Sequence, residues 1–97
     1  MPVIHQNLAA GRWAQMTLSQ QLANVGSEFM RWQSQKDPVL KQAAQDRMLE
    51  LLDLTIKAHP GAAAKELGRL RESVCQPQHT ASLKKYFMDF ALSARKI

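Results

Sequence analysis

The hydrophobic residues of this chain recur every three or four positions in four separate stretches, which is the spacing of one face of an α-helix. No stretch alternates between apolar and polar residues in the way that a half-buried β-strand does. The pattern therefore predicts an all-α fold, an antiparallel four-helix bundle that forms a single domain over residues 1–97. We expect the helices at about 18–33, 38–58, 62–75 and 81–96, behind an irregular N-terminal arm over 1–16.

Capping and breaking residues support these boundaries. Thr17 and Gln20 have the spacing of a capping box at the start of the first helix. At the start of the second, Asp37-Pro38 combines an acceptor for first-turn N–H groups with a proline that has no N–H to lose. His59-Pro60-Gly61 ends that helix because proline pushes its predecessor out of the helical region and glycine permits a turn. Within the first helix, Gly26 either lets a neighbouring helix approach closely or is simply tolerated.

The second predicted helix is apolar over an unusually wide arc. On a helical wheel its C-terminal half leaves only Glu50, Asp53 and Lys57 on the solvent side. A helix of this kind contacts two or three others, either within its own chain or across a subunit interface. A homo-oligomer is therefore one expectation, and its candidate interface residues are Trp13, Trp32, Leu49 and Leu54.

The charge is distributed unevenly along the chain. The 97 residues carry 13 Lys and Arg against 8 Asp and Glu, a net charge of +5. Residues 1–56 are neutral, so the whole excess lies in residues 57–97. Such an asymmetry is typical of a phosphate-binding face, although basic residues on bundle helices are also common as solubilising groups. The candidate nucleic-acid-binding residues are Lys65, Arg69, Lys84, Lys85, Arg95 and Lys96.

Motifs for catalysis or metal binding are absent from the sequence. The three histidines lie on the arm and in two connections, so no pair projects from one helix turn to the next as metal sites in bundles require. Cys75 and His79 would supply only half of a zinc site, and a single cysteine forms no internal disulfide. No glycine-rich phosphate loop or nucleophile elbow occurs. We therefore expect a protein that is not an enzyme and that has no cofactor and no metal.

The chain also lacks the signals of membrane insertion and export. No apolar run reaches the 18 residues of a membrane span, and residues 1–6 lack the basic and apolar regions of a signal peptide. We expect a cytoplasmic protein without a membrane partner.

Three segments carry a family resemblance: Leu8–Trp13, Arg47–Ile56 and Leu83–Leu92. Together they resemble a family of short all-helical bacterial proteins with no assigned function. More remotely, the Leu-Glu-Leu-Leu helix in a basic bundle is similar to the four-helix proteins of ribosomal RNA intervening sequences and to the accessory proteins of diversity-generating retroelements. The resemblance implies a symmetric homo-oligomer, a basic surface for RNA or DNA and a protein partner such as a reverse transcriptase.

Two hypotheses of function follow. The first is a non-catalytic, nucleic-acid-associated accessory protein that uses the basic face of the third and fourth helices. The alternative is a homo-oligomeric structural or protein-interaction module with no nucleic-acid role.

Overall fold

The computed structural model describes residues 11–95, with the side chains of residues 62 and 93–95 left out. Over this range the chain is all-α and contains no strand, as the hydrophobic spacing predicts. Short 3₁₀ turns at Trp13–Gln15 and Pro77–His79 accompany four α-helices. The helices are α1 (Leu18–Ser34), α2 (Pro38–Ala58), α3 (Ala62–Ser73) and α4 (Thr80–Arg95). Most of the predicted arm, residues 1–10, and residue 96 of the predicted fourth helix lie outside the described residues.

The predicted caps of α1 and α2 are confirmed. Thr17 accepts the backbone N–H of Gln20 on its hydroxyl at 3.1 Å, and its own N–H donates to the Gln20 side chain at 2.9 Å. Asp37 accepts the first-turn N–H groups of Val39 and Leu40 at 2.9 and 3.2 Å. These bonds satisfy backbone donors that have no partner inside the helix, and they therefore fix where each helix begins.

The third helix is shorter than predicted. It ends at Ser73 and not at Cys75, because Pro77 places the preceding Gln76 in an extended conformation, which closes the helix in a turn over 74–75. The 3₁₀ turn Pro77–His79 then leads directly into α4, whose first residue is Thr80.

Helix α1 is the centre of the fold and packs most extensively against α2 and α4. Gly26 makes the contact with α4 possible, since a Cβ atom placed on it would lie 2.7 Å from the Phe87 Cβ atom. Close approach, and not tolerance, is therefore the role of this glycine. The fully buried side chains at this centre include Leu22, Val25, Phe29, Met48 and Leu52.

Helix α3 packs mainly on α2 and buries Leu67 and Leu70, and Val74 directly after the helix is buried in the same core. Its contact with α4 is slight, so a cleft remains between α3 and α4.

Candidate nucleic-acid interface

The outer side of α3 holds two of the predicted basic residues. Leu67 and Leu70 are buried, which orients the helix and leaves Lys65 and Arg69 exposed. Because these two residues are four apart, they lie one above the other on the same helical face. Neither forms an ion pair within the described part of the chain.

On α4, Leu83 and Phe87 are buried and set the orientation of Lys84 and Lys85. Both lysines are exposed. Lys85 Nζ lies 3.7 Å from an Asp89 carboxylate oxygen, an exposed pair of the kind that contributes little to stability and exchanges readily with other partners. Lys84 has no ion-pair partner among the described residues.

The cleft between α3 and α4 has a volume of about 340 Å³. Arg69 and His79 line it together with Glu66 and Tyr86, so its chemistry is mixed and not purely cationic. Burial raises the pKa of the Tyr86 phenol, and the negative charge of Glu66 raises this pKa further. The phenol is therefore a neutral hydrogen-bonding group at neutral pH. The other lining residues are Leu70, Ser73, Ser82 and Leu83.

The structure does not gather the predicted basic residues into one pocket. Arg69 lines the α3–α4 cleft, whereas Lys84 lines a second groove on the other side of α4, together with Arg31 of α1. We call the described members of the predicted set, Lys65 and Arg69 of α3 with Lys84 and Lys85 of α4, the basic band. The side chain of Arg95 and the whole of Lys96 lie outside the described residues.

Three arginines outside the basic band form ion pairs within the described residues. The Arg71 guanidinium of α3 donates to both carboxylate oxygens of Asp53 in α2, at 2.6 and 3.3 Å. Hydrogen bonding to Asp53 raises the pKa of the guanidinium. Glu28 accepts from both Arg31 and Arg47, at 3.0 and 3.2 Å. Two acidic residues of the neutral front half, Glu28 and Asp53, are thus engaged with arginines that do not belong to the basic band.

The prediction for the first candidate interface residue, Trp13, needs correction. Trp13 was expected at an oligomer interface, but it is 2% exposed and lies in the chain's own core. Its indole N–H donates to the Thr55 hydroxyl at 3.0 Å, and its carbonyl accepts from Gln21 at 2.7 Å. The tryptophan therefore anchors the segment before α1 and offers no surface to a partner.

The other candidate interface residues, Trp32, Leu49 and Leu54, are half-buried and pack against the core. The wide apolar arc of α2 is accommodated largely inside the chain, because α2 contacts both α1 and α3. Their role in an oligomer stays a prediction.

Two polar residues from the connections have structural uses. The His59 ring nitrogen Nε2 lies 2.7 Å from the Gln21 side-chain oxygen, which joins the end of α2 to the start of α1. Cys75 is exposed, and the Gln45 side-chain amide donates to its sulfur at 3.3 Å. Over residues 11–95 no group of three or more His, Cys, Asp and Glu side chains is arranged to hold a metal ion. None of the described helices is both long and apolar enough to cross a membrane.

The sequence patterns did not point to Arg31, which lines the α1–α4 groove, or to Tyr86, which lines the α3–α4 cleft. Arg31 belongs to the electrically neutral front half, so charge counting gave no reason to select it. Tyr86 adjoins the apolar stripe of α4, so the hydrophobic spacing gave no reason to select it. Its position opposite Glu66 follows from the slight packing of α3 on α4, which the sequence pattern does not encode.

Comparison of the chain with protein families, curated proteins and solved structures finds no match. The resemblance drawn from the sequence, with the partners that it implies, therefore stays a prediction.

Proposed function

We propose that this chain is a non-catalytic protein that binds the phosphate backbone of a nucleic acid through the basic band of α3 and α4. One observation carries the proposal: Lys65, Arg69 and Lys84 are exposed and have no ion-pair partner in the described part of the chain. Phosphate binding needs cations of this kind, because a cation already paired must first give up its partner.

The spacing of the band suits a polyanion. An α-helix with its side chains is about 10 Å wide, so cations on the two sides of α4 are separated by roughly the axial rise of three nucleotides in a duplex. No deep pocket is needed for such contacts. Backbone contacts of this kind carry no sequence information, so we expect binding to RNA or DNA with little sequence preference.

The proposal includes an antiparallel arrangement of the four helices. Three-residue connections join α1 to α2 and α2 to α3, which favours antiparallel neighbours. A small surface hollow of about 150 Å³ supports it, since its lining includes Trp32 near the end of α1, Lys41 near the start of α2, Val74 after α3 and Thr80 at the start of α4. Helix ends and helix starts therefore alternate at this end of the molecule.

Fluorescence anisotropy with labelled RNA and DNA at several salt concentrations tests the proposed function. With four cations from the basic band, and Arg95 and Lys96 added from the end of the chain, six phosphate contacts predict a log–log salt slope of about −4 to −5. Absence of binding even at low salt would refute the proposal.

Self-association is the second candidate, because Val39 and Leu40 at the start of α2 are 76% and 54% exposed. Exposed apolar side chains of this size are common at contacts between subunits. Light scattering at tens of micromolar protein distinguishes the candidates. If the wild type is a dimer and the double variant Val39→Ser with Leu40→Ser is a monomer, the result would support a structural role. A monomeric wild type would exclude self-association as the function.

A further inference from the structure

The second groove, between α1 and α4, has a volume of about 420 Å³ and differs in character from the α3–α4 cleft. Its α1 side runs from Ala23 to Ser34, a length of about 17 Å or three helical turns. Small residues form its floor because Gly26 allows α1 and α4 to approach closely at Phe87. The groove is therefore apolar at its base and long enough for a short helix.

The walls of this groove are methionines that solvent reaches. Met30 of α1 is 39% exposed and Met88 of α4 is 53% exposed, one on each side. An unbranched thioether side chain adapts to different apolar partners, and methionines are frequent on surfaces that bind amphipathic helices.

The rim of the groove is positively charged. Arg31 and Lys84 line it, and no acidic side chain does so within the described residues. Arg31 shares the carboxylate of Glu28 with Arg47, so two guanidinium groups are balanced by one negative charge. Lys84 adds a further charge that no described side chain compensates by an ion pair.

We propose that this groove binds an amphipathic α-helix of a partner protein, with its apolar side on Met30 and Met88 and flanking acidic residues facing Arg31 and Lys84. The charge favours an acidic partner over a second copy, because this chain has a net charge of +5 and a copy would bring more positive charge to the rim. The apolar floor favours a helix over a nucleic acid, whose backbone needs phosphate contacts along the groove. The inference uses residues other than those of the proposed function, except for Lys84, which belongs both to the groove rim and to the basic band.

A synthetic helical peptide tests this inference. Its sequence carries leucines at positions i, i+3, i+4 and i+7 with glutamates beside them, and a matched peptide carries lysines in place of the glutamates. We expect wild-type protein to bind the glutamate peptide about tenfold more tightly than the lysine peptide in anisotropy measurements at low salt. Lys84→Glu should reduce or reverse this preference.

Substitutions in and outside the groove locate the binding. Met88→Glu should weaken binding of the glutamate peptide about tenfold, because it places a carboxylate against the apolar side of the peptide and near its glutamates. Leu40→Glu is the matched control, since Leu40 is 54% exposed against 53% for Met88 and lies outside the groove. It should leave peptide binding unchanged. Circular dichroism melting of each variant checks that the fold is retained.

Four results would overturn the inference. The first is that neither peptide binds, and the second is that Met88→Glu and Leu40→Glu affect binding equally. The third is a wild-type dimer that Met88→Glu dissociates and Leu40→Glu does not, which would assign the groove to a second copy. The fourth is RNA binding that Met88→Glu weakens more than Arg69→Gln does, which would make the groove a nucleic-acid site.

Discussion

At the scale of single residues, Gly26 and Gly68 are both helical glycines with opposite surroundings. A Cβ atom on Gly26 would meet Phe87 at 2.7 Å, whereas one on Gly68 would meet nothing within 4 Å apart from its chain neighbours and the backbone of its own helix. The sequence offers two helical glycines, but only the packing shows which of them is needed.

The first prediction follows from this contrast. Gly26→Ala should lower the free energy of unfolding, since overpacking costs about 1–3 kcal/mol and outweighs the roughly 1 kcal/mol that alanine gains in a helix. Gly68→Ala should raise it by up to about 1 kcal/mol. Urea unfolding monitored by circular dichroism measures both. Stabilisation by Gly26→Ala would show that α1 and α4 do not approach closely there.

The bond between Trp13 and Thr55 allows a second prediction at this scale. Both residues are buried, at 2% and 0% exposure, so Thr55→Val leaves the indole N–H without a partner. We expect a loss of about 1–3 kcal/mol in unfolding free energy, much of which should vanish in a Trp13→Phe background that has no indole N–H. An equal loss in both backgrounds would mean that the bond contributes nothing.

At the scale of helices, the capping residues and hydrophobic spacing predict most boundaries because both act locally. The starts of α1 and α2 are set by the capping hydrogen bonds of Thr17 and Asp37. The end of α2 is set by the steric limits of the segment His59-Pro60-Gly61, again within a few residues. The predicted end of α3 at residue 75 is two residues later than the observed end at Ser73. The prediction did not allow for the turn over Val74 and Cys75 that precedes the extended Gln76. Packing between α3 and α4 depends on the whole fold, so it was not predictable from either helix.

The third prediction concerns the α3–α4 cleft. Tyr86 is the single tyrosine of the chain, so its ionisation is directly visible in the ultraviolet absorbance. We expect its pKa to lie above the ordinary value of about 10, because burial and the charge of Glu66 both disfavour the phenolate.

Neutralising the carboxylate provides the test of this arrangement. Glu66→Gln should lower the Tyr86 pKa, because it removes the negative charge that opposes the phenolate. Glu72→Gln is the control, since it removes the same charge from α3 at a residue that does not line the cleft. Equal effects of the two variants would mean that Glu66 does not face Tyr86.

At the scale of the whole molecule, charge counting along the sequence located the excess but not its arrangement. The six predicted residues all lie in the second half of the sequence, yet Arg69 and Lys84 lie on opposite sides of α4. Long-range pairing also matters, since Arg71 is bound by Asp53, eighteen positions earlier in the chain. Which cations stay unpaired is therefore a property of the folded chain.

The central claim is that the basic band, and not positive charge in general, binds nucleic acid. Two double variants separate these explanations, because each removes two exposed positive charges. Lys65→Gln with Arg69→Gln removes them from the band, and Arg12→Gln with Lys36→Gln removes them from the front half.

The deciding measurement is the salt dependence of RNA binding by the two double variants in fluorescence anisotropy. Loss of two phosphate contacts should make the slope of the band variant shallower by about 1.4–1.8 and weaken binding at low salt, while the front-half variant keeps the wild-type slope. Equal slopes and equal affinities for the two variants would contradict the proposal, because binding would then depend on net charge alone.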